Sequence, residues 1–480
     1  MYRLLTKYKS YPMSVKAVFW FLVCNVILKG IGFISVPLFA EILPESEYGI
    51  LSLYMSYQTI IVSLCTWEIH NGAYQKGLYI YKDNERQFTA ASQAFLWILT
   101  TGIFIILFVL QNPVKSITGY TDESLLAIYV YIMLLPGFSF WMTRKRNEYR
   151  YKPVVIISIL ESFLIFIIPF FAVYFIDATA DVKYVSALLI ECLMNLFFIG
   201  YGISPKLIKD RVKVREIWRF LVRFQLPLLP HAFSYYILTQ ADRIMIGKME
   251  GEVKTAYYSI AYNVAASVAI VQAALNQAIL PWTYKKLENK GYYRIKEISL
   301  VVLLLLGGVM TIFGLIAPDL LRILFSESYY NAVWCIPPIV MSLFFNEIYC
   351  LFVNILSYYE KTYYITYASA ICGGVNIVFN YLGIQYFGYT ACAYTTFVCY
   401  ILMAILCYFF TKKVCKSKKI AVNDIYNIHN ITIMGIVVTG IMISMALLYC
   451  RVVERYVVIF VLFVFGYVEF KKFMRMKSQD

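Results

Sequence analysis

Residues 17–40 read Ala17-Val-Phe-Trp-Phe-Leu-Val-Cys-Asn-Val-Ile-Leu-Lys29-Gly-Ile-Gly-Phe-Ile-Ser-Val-Pro37-Leu-Phe-Ala40, and this run decides the fold class. A helix needs ~20 apolar residues to cross the hydrocarbon core of a bilayer. The run is long enough to cross, too long for the core of a secretory signal, and shows no cleavage site. Irregular backbone cannot face lipid, so it reads as a helix that stays in the membrane. Similar runs follow near 48–68, 89–110, 123–142, 154–176 and 183–203, then 224–246, 256–278, 297–317, 333–354, 364–386, 390–410, 430–449 and 456–470. The expectation is an all-α integral membrane protein of about fourteen transmembrane helices.

Composition agrees. The 480 residues are 61% hydrophobic and 15% charged, a balance that excludes an ordinary soluble domain. The net charge of +15 is spread over short loops rather than gathered on one face, which argues against nucleic acid as a partner and for an anionic membrane surface. Of the 43 Lys and Arg residues, 34 fall in the two ends and in every second loop. Cytoplasmic loops retain Lys and Arg, so both ends are expected inside and the span number even. The eleven Cys form no C-x-x-C pair, and His70, His231 and His429 lie far apart, so neither a metal nor another cofactor is expected.

The chain repeats itself weakly. A shift of 209 residues carries Tyr48 onto Tyr257 and Lys152 onto Lys361, and carries spans one to six onto spans seven to twelve. Six spans per repeat give both halves the same orientation, a parallel repeat as in other transporters. The expected organisation is a six-helix lobe over 1–203, a basic cytoplasmic linker over 204–223, a second six-helix lobe over 224–410, and two additional helices with a tail over 411–480. No loop is long enough to hold a catalytic module. The function therefore lies within the membrane.

Several residues do not belong in lipid. Lys29 stands at mid-span, where a charge costs ~2.5–3.5 kcal/mol on insertion scales and should face a cavity or a partner. Gly30 and Gly32 beside it allow close approach of a ligand or a backbone. It reads as an anion-binding cation or as one half of a structural ion pair. Glu161, Glu191 and Glu347 are also intramembrane; they are candidates for its counter-ion or for a coupling ion. Asn195, one turn from Glu191, could share its hydrogen bonds, and Asn380 is a polar candidate in span eleven. Asp242-Arg243 and Lys248 lie at the outer end of span seven, where a bland reading is an exposed ion pair worth little. Pro37, Pro136, Pro227, Pro230 and Pro337 interrupt spans and are candidate hinges, or fixed bends that suit the packing.

The motifs Gln225-Leu-Pro-Leu-Leu-Pro230, Asp242-Arg-Ile-Met-Ile-Gly247, Ala256-Tyr-Tyr-Ser-Ile-Ala-Tyr262 and Ala278-Ile-Leu-Pro281, with Leu43-Pro-Glu-Ser-Glu-Tyr-Gly49 in the first half, form an ordered series. The series resembles the polysaccharide-unit flippases, the O-antigen and capsule branch of the multidrug/oligosaccharidyl-lipid/polysaccharide exporter superfamily. The resemblance implies two six-helix lobes working by alternating access in the bacterial cytoplasmic membrane. It implies transfer of an undecaprenyl-diphosphate-linked oligosaccharide from the inner to the outer leaflet, for O-antigen or capsular polysaccharide. The polymerase and chain-length machinery would be partners. It also implies a cationic cavity, which Lys29 fits, with Arg243 on the family's Asp-Arg motif and Lys248 nearby. Rival readings are a drug or cation antiporter of the same superfamily, a peptidoglycan-precursor flippase, and a membrane-embedded polymerase or glycosyltransferase. The antiporter would use the acidic residues but is opposed by Lys29; the enzyme is opposed by the short outer loops.

Overall fold

The computed structural model describes residues 12–200, 210–462 and 464. The described residues are helical almost throughout, and no strand occurs among them. The packing divides into two compact units, Met1–Gly247 and Lys248–Asp480.

The first unit opens with α1 (Met13–Ile42), α2 (Glu45–Thr66), α3 (Ala73–Ile80) and α4 (Glu85–Val109). A short α5 (Gln111–Thr118) leads to α6 (Asp122–Leu134) and α7 (Pro136–Asn147), which bend by 43° at their junction. Then come α8 (Tyr151–Phe175), α9 (Ala180–Ile199), α10 (Arg211–Gln225) and α11 (Leu229–Glu250). Side-chain caps mark several starts: Thr121 Oγ1 accepts from the Ser124 N–H at 3.2 Å, and Asp210 Oδ1 from the Lys213 N–H at 3.2 Å. Such caps satisfy amides that a first turn leaves without a partner.

The second unit contains α12 (Glu252–Ala266) and α13 (Ala269–Glu288), bent by 40°, then α14 (Tyr292–Leu324) and a 3₁₀ segment over Glu327–Cys335. It continues with α15 (Ile336–Tyr358), α16 (Tyr363–Phe387), α17 (Ala391–Ser417), the single turn α18 (Val422–Ile425), α19 (Ile428–Leu448) and a helix over 452–462 (α20). α15 is the core of this unit: α14, α17 and α19 all pack on it.

Ten helices among the described residues are long and apolar enough to cross a membrane, and the two bent pairs bring the number to twelve. The other two expected spans also correspond to helices. One is α11, whose Asp242, Arg243, Lys248 and Glu250 lower its apolar content. The other is α20, whose expected continuation to residue 470 falls outside the described residues.

The stretch expected as a basic linker is structured over 211–223. Val214, Ile217 and Leu221 recur at helical spacing and are buried with Tyr74, Leu78, Phe88 and Leu96 in one apolar cluster. Trp218 Nε1 donates to the Ala91 carbonyl at 2.8 Å, while Arg211, Lys213, Arg215, Arg219 and Arg223 point outward. α10 is thus an amphipathic helix packed on α3 and α4, a part of the first unit.

Candidate functional site

In the first unit, Lys29 lies near the middle of α1 on an exposed face. A Cβ added at Gly30 or Gly32 would meet nothing within 4 Å among the described residues, so open space adjoins the lysine on this face. α1 is held from its other side, where it packs against α8. Pro37 sits inside α1 without ending it.

A second polar group lies between α8 and α9. Glu161 on α8 and Glu191 on α9, both half-buried, stand close enough to interact electrostatically. The Tyr131 hydroxyl of α6 faces the Glu191 carboxylate. A cation within electrostatic reach of Glu191 is Lys183, whose Nζ also lies 5.2 Å from the centroid of the Phe39 ring on α1. Sequence reasoning passed over both Lys183 and Tyr131. Lys183 had a readable signal: it precedes Glu191 by eight residues, a spacing that keeps two side chains on one helical stripe. Tyr131 had none, since only the packing of α6 on α9 brings it there.

Asn195 does not serve the Glu191 carboxylate. Its Nδ2 donates to the Glu191 backbone carbonyl at 2.8 Å, and its Oδ1 accepts from the Phe138 N–H at 3.1 Å. That amide is left over because the chain bends at Pro136, and Gln93 Nε2 donates to the Pro136 carbonyl at 3.2 Å. Gly137 lets α7 approach so closely that a Cβ there would stand 2.2 Å from the Asn195 carbonyl oxygen. Pro136 is thus a clamped bend. Pro227 lies in the 3₁₀ turn Leu226–Leu228 and Pro230 in the first turn of α11, so both mark the junction between α10 and α11.

Asp242 and Arg243 are buried rather than exposed at an interface. The Arg243 guanidinium donates to the Thr239 carbonyl at 3.2 Å and to Gln240 Oε1 at 3.1 Å on its own helix. Lys248, one turn on, is exposed.

The second unit holds its polar residues differently. Glu347 on α15 is fully buried, and its Oε2 accepts from Asn276 Nδ2 at 2.9 Å. Gln272, one turn before Asn276 on α13, also faces this carboxylate, yet neither Gln272 Nε2 nor Glu347 Oε1 makes a well-formed hydrogen bond. Asn380 is fully buried too; its Nδ2 donates to Asn376 Oδ1 at 3.0 Å, and its Oδ1 accepts from the Thr395 hydroxyl. These contacts tie α16 to α17 and face no open space. Pro337 stands in the first turn of α15, where no amide is required of it, and bends nothing.

The chemistry on offer is therefore concentrated in the first unit. A mid-span ammonium beside open space can meet an anionic group, and two carboxylates with a tyrosine and a lysine can hold a proton or a small cation.

Residues 14–286 match the family model described as polysaccharide biosynthesis protein, and residues 227–382 match the model described as MatE. The chain is 22% identical to a Lsg locus protein of Haemophilus influenzae over 412 residues, covering 83% of this chain and 98% of that protein. It is 23% identical over 445 residues to an uncharacterized membrane protein of Methanocaldococcus jannaschii, covering 83% of this chain and 84% of that one. Among solved structures, the lipid II flippase MurJ in an inward closed conformation superposes with a TM-score of 0.68 at 12% identity, over 95% of this chain and 100% of that chain. A Vibrio cholerae MATE transporter superposes with a TM-score of 0.53 at 13% identity, over 84% and 97%. At such identities the likeness establishes a shared transporter fold.

Proposed function

The chain belongs to the polysaccharide biosynthesis protein family, and from that premise we propose that it is a flippase for undecaprenyl-diphosphate-linked oligosaccharide repeat units. It carries them from the inner to the outer leaflet of the bacterial cytoplasmic membrane, for O-antigen or capsular polysaccharide, with both its termini in the cytoplasm. The two six-helix lobes rock to expose the site alternately to either side. The polymerase and chain-length machinery take over the cargo outside.

The observation that carries this reading is Lys29, an exposed cation at the middle of a span-length helix with open space at Gly30 and Gly32. A diphosphate and a glycan cannot enter hydrocarbon unaided, because burying charge without a partner is prohibitive. An ammonium at mid-depth compensates the diphosphate while the lipid tail stays in the bilayer. Arg243 and Lys248 are secondary cations, and Asn380 acts through helix packing. Glu161 and Glu191, with Lys183 and Tyr131, hold the coupling proton or cation; Asp242 and Glu347 are buried acids of the same kind. The junction at Pro227–Pro230 is the place where the first lobe can hinge, while the bend at Pro136 is held fixed. The acidic pair also favours the second reading, a cation-coupled exporter of drugs.

The test is Lys29→Ala in the native host with surface glycan and lipid-linked precursors as readouts. Surface glycan should vanish while complete lipid-linked units accumulate inside, and Lys29→Arg should retain part of the activity. Normal glycan from a stably expressed Lys29→Ala protein would overturn the site, and unchanged glycan with altered drug tolerance would favour the exporter. For the acidic pair, Glu161→Gln and Glu191→Gln should each flatten the pH dependence of transport in vesicles; an unchanged profile in both removes them as coupling groups.

A further inference from the structure

We propose that the second unit carries a binding site for an anionic glycerophospholipid, with its phosphate on Lys412, Lys416 and Lys419 and an acyl chain in the groove between α17 and α19. The proposal is separate from the transport site, which lies in the first unit.

Two cavities meet here. One is a groove of about 390 Å³, walled by α17 and α19 and floored by α15, with Phe345, Phe352, Ile401, Ile405, Ile431 and Ile436 among its lining side chains. Its wall offers almost no polar group. The Thr432 and Thr439 hydroxyls turn back to carbonyls of their own helix, those of Ile428 and Gly435, each at 2.9 Å. The other cavity, about 410 Å³, is lined by Lys412, Lys416, Lys419 and Asn423. Tyr408 lines both, so the basic cavity adjoins the groove at one end. Lys412 Nζ lies 6.0 Å from the Tyr408 ring centroid, and Lys296 Nζ donates to the Asn423 carbonyl at 2.9 Å, bringing a fourth cation to the rim. Asp424 is the nearby carboxylate, and its Oδ2 accepts from the Ala421 N–H at 3.3 Å.

Lysines at a helix C-terminus usually complement the helix dipole and extend into water. Here three of them line a cavity that continues into an apolar trough. That juxtaposition matches one molecule with a phosphate at one end and hydrocarbon at the other. From Ile401 to Lys412 the α17 wall rises about 16 Å, and from Ile428 to Thr439 the α19 wall rises as much. A fatty acyl chain extends over roughly that length, whereas a long polyprenyl chain would overrun it. The lysines also belong to the basic stretch 412–419, which the charge sorting assigns to the inner, anionic face.

The experiment uses the full-length protein, purified and stripped of lipid, then mixed with phosphatidylglycerol or phosphatidylcholine and read by native mass spectrometry. Phosphatidylglycerol should bind at least tenfold more tightly than phosphatidylcholine. The triple variant K412Q/K416Q/K419Q should lose that preference, while the control K76Q/K82Q/K152Q, which removes three exposed lysines of the first unit, should keep it. Thr432→Trp, which fills the groove, should weaken both lipids alike. Equal preference in the wild type and the K412Q/K416Q/K419Q protein would overturn the proposal, and so would equal loss in the control. Displacement of phosphatidylglycerol by equimolar polyprenyl phosphate would overturn it too and assign the groove to a cargo tail. Surface glycan is not the readout, so failure here leaves the transport proposal standing.

Discussion

The two units interrupt their second and fourth segments in different places and by different means. In the first unit the second segment breaks between α2 and α3, and the fourth bends by 43° between α6 and α7. Shifted by 209 residues, the second unit bends instead at Ser267–Val268, between α12 and α13, and keeps α15 continuous. Side chains fix the first unit's breaks. Trp67 and Glu68 adopt left-handed φ, and the Glu68 carboxylate accepts from Asn71 Nδ2 at 2.9 Å and from the Tyr236 hydroxyl at 3.2 Å. Asn195 holds the other break through the Phe138 amide. The second unit's bend is carried by local bonds within its own chain segment: the amides of Ser267, Val268, Ile270 and Val271 each donate to the carbonyl three residues before, at 3.0–3.3 Å, and the Ser267 hydroxyl donates to the Val264 carbonyl at 2.7 Å. Burial follows the same division: 78% of the most apolar stretch of Glu327–Tyr358 is buried, against 11% of the most apolar stretch of α1. The first unit is specified at a few clamps and presents its charged groups; the second is a packed frame.

The largest expected effect tests whether that frame depends on one pin. The Arg455 guanidinium, 1% exposed, donates to both carboxylate oxygens of Asp319 at 2.7 and 2.8 Å and ties α20 to α14. Breaking a buried pair from one side leaves the other charge stranded, a loss of ~3–5 kcal/mol. Asp319 keeps some water and the Tyr456 hydroxyl at 3.1 Å, which points to the lower end. Arg455→Ala should therefore lower the thermal midpoint of the purified protein by several degrees, measured in detergent. An unchanged midpoint would mean that α20 contributes nothing to the frame.

A matched pair of glycines sharpens the contrast between clamp and frame. At Gly137 a Cβ would stand 2.2 Å from the Asn195 carbonyl oxygen, a backbone atom that can yield only if α9 moves. At Gly314 it would stand 2.9 Å from Met445 Sδ, the far end of a side chain that can change rotamer. Gly137→Ala should cost ~1–3 kcal/mol, as overpacking does, and Gly314→Ala under about 1 kcal/mol. Thermal unfolding of the two variants side by side checks this, and equal losses would erase the distinction.

These differences bear on what the chain reveals unaided. Span positions were legible because crossing a bilayer demands a long apolar run, and all fourteen expected runs correspond to helices over their described residues. The period of Val214, Ile217 and Leu221 was equally present, but the dense Lys and Arg around it suggested a linker. The candidate site was legible only as far as single residues could carry it. Lys29, Glu161 and Glu191 stand out because charge is costly in lipid. The contact of Tyr131 with Glu191, the use of Asn195 on a bend and the burial of Asp242-Arg243 depend on which helices become neighbours, which no local pattern encodes.

The smallest expected effect is a pH response confined to the first unit. His70 lies in the turn between α2 and α3, outside the spans, and the second unit's corresponding bend carries no titratable group. Burial pushes the His70 imidazole below its ordinary value near 6.5, against the pull of Glu68, whose Oε2 is 3.9 Å from Nε2. Because the folded state holds the proton less well than the unfolded chain does, this residue's contribution is complete above about pH 6.5. It is lost as the pH falls from there through the folded value, at no more than about 1.4 kcal/mol per pH unit for one proton. Hydrogen exchange over 67–80, corrected for the intrinsic pH dependence of exchange, should therefore lose protection between pH 7 and pH 5, while 267–288 holds. His70→Gln should flatten the response of the first segment. Parallel loss in both segments, or a response that survives His70→Gln, would show that acid acts on the whole fold and that the turn is no weaker than the bend it corresponds to.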